Sequence, residues 1–174
     1  MKFRIRQYHL FIFVLFFYAC NNEEEPQPIS PLEEAYENSN TWNWVAKDEM
    51  ISRSGQTTGY AVNFNKNSTK LLLYLEGGGV CFNAVTCFQN PNKFNEEDFK
   101  ELISNTGGDI GMYNRSSSLN PFNDWNFVYV PYTTGDIHGG NNMSSDIPGG
   151  LNDQVMVGSQ GDLTPDVIRV VGII

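Results

Sequence analysis

The sequence predicts an α/β fold, a three-layer arrangement of a sheet between helices, on three observations. Leu71-Leu72-Leu73-Tyr74-Leu75 is a continuous apolar run stopped at once by glycines, the mark of a short strand buried on both faces. Phe127, Tyr129 and Pro131 alternate with Val128, Val130 and Tyr132, a second core strand closed by the proline. Between them, Phe99, Leu102 and Ile103 fall at helical spacing behind an acidic start. Strand, strand, helix, strand is the order of an α/β sheet.

The elements follow in order. Ser30-Pro31-Leu32-Glu33 carries an N-cap, a proline at the first helical position and a glutamate three residues after the serine. The short helix it opens fades by Asn38-Ser39-Asn40. Trp42, Trp44 and Val45 form an alternating aromatic segment, and the tryptophans read as core rather than as sugar platforms. Residues 52–58 form a turn, and Tyr60, Val62 and Phe64 then alternate as in a half-buried strand. Residues 65–69 turn into the apolar run. Asn95 caps the next helix, Glu96, Glu97 and Asp98 charge its first turn, and Gly107-Gly108 ends it. Residues 116–123 are loop. Residues 135–150 are Gly, Asn, Ser and Asp with few apolar side chains, a long loop of substrate-facing type. Val155 to Val157 and Val167 to Val171 are short apolar pieces, and there is no internal repeat.

Composition bounds the function. With 174 residues and 40% hydrophobic side chains the chain supports one packed domain. A net charge of −9 disfavours nucleic acid and anionic lipid surfaces, which need clustered Lys and Arg. The few bases include Lys2, Arg4 and Arg6, which precede the apolar run Leu10 to Phe17 and then Tyr18-Ala19-Cys20. That run is too short for a membrane span of ~20 residues and has the size of a signal-peptide core. A small residue directly before Cys20 resembles a bacterial lipobox, although Phe17 and Tyr18 depart from the usual residues. The expectation is a signal peptide over residues 1–19 and a diacylated Cys20 that anchors the protein to the outer membrane or cell surface. An acidic, Pro-rich tether and the short helix would occupy residues 20–40. Export places Cys81 and Cys87 in an oxidising compartment.

The chemistry lies after the apolar run. Glu76-Gly77-Gly78-Gly79 lets main-chain N–H groups approach a ligand without side-chain obstruction, and such groups can stabilise an oxyanion. Neither Gly-x-x-x-x-Gly-Lys nor Gly-x-Gly-x-x-Gly followed by a helix is present, so a nucleotide loop is disfavoured. The stretch Glu76-Gly77-Gly78-Gly79-Val80-Cys81, with Cys87 after it, resembles the pectin acetylesterase and Notum family of carboxylesterases. Asn120-Pro121, Trp125-Asn126, Pro131-Tyr132 and Gly135-Asp136-Ile137-His138 continue the similarity in the same order. It extends over about residues 42–158.

The resemblance implies an α/β-hydrolase-like three-layer sheet over residues 41–158 and a Ser-His-Asp esterase acting on ester-bearing carbohydrate or a small acyl ester, with no cofactor. Gly78 and Gly79 would be the oxyanion-hole donors, and Cys81 and Cys87 a disulfide that braces them. Glu76 reads as a structural hydrogen-bond acceptor. Asp136 and His138 read as loop-structuring or pocket-lining residues, with a general-base pair as the alternative. Thr133 stands where many members carry a cysteine, and the cysteine often found near Arg53-Ser54-Gly55 is also missing, as if one disulfide were lost as a unit.

The nucleophile motif Gly-x-Ser-x-Gly does not occur. Val157-Gly158-Ser159-Gln160-Gly161 comes nearest, but Val157 replaces the first glycine and no histidine follows His138. Residues 159–174 form a divergent tail. The expectation is the N-terminal part of an esterase, truncated before the nucleophile elbow and inactive alone. The alternatives are a non-catalytic, carbohydrate-binding surface lipoprotein and, less favoured, an unrelated nucleotide-binding fold.

Overall fold

The computed structural model describes residues 28–107 and 111–157. The leader, Cys20, Ser159 and the divergent tail lie outside the described residues.

Helix α1 (Pro31–Glu37) opens with the expected capping box. The Glu33 N–H donates to Ser30 Oγ at 3.2 Å and the Ser30 N–H to the Glu33 carboxylate at 2.9 Å. Strands β1 (Asn43–Ile51) and β2 (Thr57–Asn63) form an antiparallel pair. Strand β3 (Leu71–Leu75) is followed by helices α2 (Ala84–Phe88) and α3 (Glu96–Thr106), and then by β4 (Asn126–Val130). Asn95 Oδ1 accepts the N–H groups of Glu97 and Asp98, and Gly107 closes α3 in the left-handed conformation at φ 72°. A hairpin of β5 (Asn141–Ile147) and β6 (Leu151–Val157) completes the described residues.

The main sheet has the order β1-β2-β4-β3. β2 runs antiparallel to both of its neighbours, while β3 and β4 are parallel and are joined by a crossover that contains α3. The strand period of two sends side chains to two cores. Tyr60, Val62, Val128 and Val130 pack under α1 with Leu32 and Ala35. Ala61 and Tyr129 face α3 with Phe99, Leu102, Trp42 and Trp44. Helices therefore cover both faces, which is the three-layer α/β arrangement expected. Trp42 is half-buried and packs against the core through Phe99, Tyr113 and Phe127, with ring centroids 5.2–6.2 Å away.

Three local expectations are corrected. The Leu71 to Leu75 run, expected to be buried on both faces, forms an edge of the described sheet, half-buried along most of its length and with Leu73 exposed. The strands buried on both faces are β4 and, over residues 58–63, β2, which the alternation predicted to be half-buried. Residues 135–150, expected as one loop, include β5, whose side chains are mostly exposed. Its pairing with β6 rests on main-chain bonds, which low strand propensity in Asn-Asn-Met-Ser-Ser-Asp conceals from a sequence reading. Helix α2 carried no sequence signal that set it apart from a loop.

Candidate functional site

The carboxyl ends of neighbouring parallel strands are where open α/β sheets place ligands. Here the Leu75 and Val130 ends of β3 and β4 lie side by side. The loop leaving β3 is the glycine segment, and the loop leaving β4 is residues 131–140. The two are bonded at both ends of the glycine segment. The Glu76 N–H donates to the Val130 carbonyl at 2.9 Å, and Glu76 Oε2 accepts the Tyr132 N–H at 2.9 Å. His138 Nε2 lies 2.9 Å from the Glu76 carbonyl oxygen. At the far end the Cys81 N–H donates to the Gly135 carbonyl at 2.8 Å.

Between these anchors Gly77, Gly78, Gly79 and Val80 are exposed. Among the described residues no protein acceptor takes the N–H groups of Gly77, Gly78 or Gly79. Gly78 rests on the Tyr132 ring so closely that a Cβ would overlap it. Only glycine lets the backbone approach there.

Cys81 and Cys87 are joined in a disulfide and both are buried. The bridge spans α2, whose cap Asn83 exchanges bonds with Thr86 at 2.9 and 3.1 Å. Beneath it lies Arg53, only 5% exposed. Its guanidinium donates to the carbonyls of Cys87 at 2.8 Å and Asn90 at 3.1 Å, and to Gln154 Oε1 at 3.2 Å. It therefore satisfies carbonyls at the end of α2, where the helix dipole is negative. Burial lowers the Arg53 pKa from its ordinary value. The Arg53 N–H donates to the Thr133 carbonyl at 3.2 Å. The stretch around Arg53 and the one around Thr133 are thus neighbours in space.

Asp136 and His138 come together, but the carboxylate meets the histidine's main chain and not its ring. Asp136 Oδ1 accepts the His138 main-chain N–H at 3.0 Å and the Thr134 hydroxyl, and Oδ2 accepts the Gly140 N–H at 3.1 Å. All of these bonds shape the loop. The His138 ring turns the other way, toward the Glu76 carbonyl. A carbonyl can only accept, so Nε2 carries the proton. Nδ1 is buried without a partner among the described residues. Ile137 and His138 are both left-handed, at φ 61° and 56°. Non-glycine residues pay about 1–2 kcal/mol each for this conformation.

Glu76 is an acceptor at this site. Its carboxylate also lies near the Tyr129 and Tyr113 hydroxyls. Burial first, and then neighbouring charge that includes Glu76, raises both phenol pKa values above the ordinary range. Sequence reasoning missed Tyr132, Asn90 and Arg53 as parts of this site. Tyr132 stood in a recognised motif, whereas Asn90 and Arg53 had no signal of their own.

An open row of main-chain N–H groups at the carboxyl ends of parallel strands can hold a carbonyl oxygen or an anion. The pectinacetylesterase family model matches residues 46–151, and the chain belongs to that family. It is 30% identical over 125 residues to palmitoleoyl-protein carboxylesterase notum1a of Danio rerio, a match that covers 67% of this chain and 23% of that protein. It is 29% identical over 111 residues to the inactive palmitoleoyl-protein carboxylesterase notum1b of Danio rerio, covering 59% of this chain and 75% of that protein. The solved structure of the Wnt deacylase Notum from Drosophila aligns with 73% of this chain and 36% of its own, at 14% identity and a TM-score of 0.45. The chain thus spans less than a quarter of the length of notum1a.

Proposed function

We propose that this chain carries the oxyanion-binding part of a serine carboxylesterase for acetyl or acyl esters of polysaccharide or similar substrates, and that it does not turn over ester by itself. The observation that carries the reading is the exposed row of Gly77, Gly78 and Gly79 N–H groups without protein acceptors. In the full reaction a serine attacks the ester carbonyl, a histidine takes its proton and an aspartate orients the histidine. The carbonyl oxygen becomes an oxyanion, and the Gly78 and Gly79 N–H groups donate to it. Residues 1–174 contain no Gly-x-Ser-x-Gly, which supports a lack of turnover by this stretch alone. So does its likeness to notum1b, whose name records it as inactive.

Two measurements test this. Purified chain is expected to leave an aryl acetate unhydrolysed, and a rate abolished by Ser159→Ala overturns the inactivity. Translating the coding DNA past codon 158 in each forward frame separates an intact esterase read out of frame, which would show a nucleophile motif followed by Asp and His, from a non-catalytic protein, which would not. In a protein with the complete triad, Gly79→Pro, which removes that N–H donor, should lower kcat about 10²–10³-fold. An unchanged kcat removes the oxyanion role.

We also propose that Cys20 is lipidated and holds the exported protein at the outer membrane or cell surface. Incorporation of an alkyne-tagged fatty acid that persists in Cys20→Ser would refute the anchor. A second reading, carbohydrate binding without cleavage, draws on Phe82, just before α2, and Phe88, its last residue, which are 62% and 93% exposed. Calorimetry with acetylated pectin oligomers separates the two: saturable binding that is lost in Phe88→Ala favours the binder.

A further inference from the structure

Three glycines in a row have no conformation of their own, so an array of N–H donors built from them must be aimed by something outside it. A trans peptide unit is planar, and its C=O and N–H point in opposite directions. Whatever fixes the Glu76 carbonyl therefore fixes the Gly77 N–H, the first donor of the row. The group that fixes it is the His138 ring, with Nε2 2.9 Å from that oxygen. The carbonyl turns inward to the buried imidazole, and the Gly77 N–H is turned outward on the exposed segment.

The ring reaches this position through a strained turn. Ile137, a β-branched residue, and His138 are both left-handed. Two bonds hold the turn: the Ile137 N–H donates to the Tyr132 hydroxyl at 2.9 Å, and the His138 N–H to Asp136 Oδ1 at 3.0 Å. Tyr132 closes the circuit. Its ring lies 4.9 Å from the imidazole and under Gly78, and its N–H donates to the Glu76 carboxylate. The ring's other nitrogen, Nδ1, has no partner among the described residues, so nothing else in them accounts for the imidazole.

We propose that His138 is a positioning residue: through Nε2–H to the Glu76 carbonyl, with Tyr132 as its buttress, it aims the N–H row of Gly77 to Gly79. That the row serves an oxyanion rests on the esterase reading above. That His138 orients it does not.

The test uses the full chain with its disulfide formed. Backbone relaxation and amide exchange at Gly77, Gly78 and Gly79 are compared with those of β2 and β4. In His138→Phe, which keeps an aromatic ring and removes the N–H donor, glycine order parameters should fall from about 0.85 toward about 0.6, with β2 and β4 unchanged. His138→Gln should restore them, because its terminal N–H₂ can donate to the same carbonyl and Nδ1 has no bond to lose. Glycine amides that stay rigid in His138→Phe, or that fail to recover in His138→Gln, overturn the proposal. If His138→Phe does not fold, nitrogen shifts of the ring in the unmodified chain decide: an Nε2-protonated tautomer agrees and an Nδ1-protonated one overturns it. In a protein with the complete triad, His138→Phe should lower kcat with little change in KM. If glycine order follows His138 while such a protein cleaves no ester, the positioning stands and the esterase reading falls.

Discussion

β3 and β4 are parallel neighbours of five residues each, Leu-Leu-Leu-Tyr-Leu and Asn-Phe-Val-Tyr-Val. The more apolar of the two by sequence is the less buried. β4 is paired on both sides and covered on both faces, while β3 forms the edge. The loops that follow differ in the same sense. After β4, residues 131–135 are buried and the stretch to residue 140 is rich in internal bonds; after β3, residues 77–80 are exposed, and the Gly77, Gly78 and Gly79 N–H groups have no acceptor among the described residues. The difference teaches a division of labour. The β4 side is an over-determined scaffold, and the β3 side is a donor array that the scaffold holds in place.

The comparison breaks most visibly in the core. Phe127→Ala in β4, where the side chain is fully buried, should destabilise the fold by about 3–5 kcal/mol. Leu73→Ala in β3 should stay within about 1 kcal/mol. Urea unfolding of the two variants checks the pair, and equal losses would erase the distinction between the strands.

The disulfide comes next. It closes a loop of sequence separation 6, which in the chain-entropy account contributes about 2 kcal/mol. Replacing Cys81 and Cys87 with serine should lower the unfolding free energy by that amount, read as a fall in the urea midpoint. The glycine amides should exchange faster than those of β4, because Cys81 anchors the far end of their loop.

The β4 face also predicts an alkaline limit. The Tyr129 hydroxyl is buried, and its pKa is raised by burial first and then by the Glu76 carboxylate. The stability this contributes is fully present below the unfolded pKa of about 10. It is lost as pH rises beyond, by about 1.4 kcal/mol per pH unit. Tyr129→Phe should flatten that decline, as measured by denaturation at stepped pH. The smallest effect is local: Asn95→Ala removes the α3 cap and should cost about 1 kcal/mol without altering the glycine amides.

Much of this was legible in the residues themselves. Caps at Ser30 and Asn95 and the left-handed stop at Gly107 are local devices, and they set α1 and α3 where the sequence placed them. The apolar and alternating runs marked β2, β3 and β4 because side-chain period is a property of the chain alone. The glycine segment and its cysteines stood out through their order along the sequence. The β5 hairpin and helix α2 did not, since main-chain pairing and a disulfide-closed turn leave little trace in composition.

By itself, then, the sequence determined α1, β2, β3, α3 and β4, the family and the position of the glycine loop, because spacing and residue type are sufficient for each. Only the tertiary structure decided which strand is buried, that Arg53 carries the end of α2, and that Asp136 shapes its loop while His138 grips Glu76. Those outcomes depend on which distant segments meet. Arg53 and Cys87 are 34 residues apart, and His138 and Glu76 are 62. No local pattern encodes a contact whose energy exists only after the sheet has brought its two halves together.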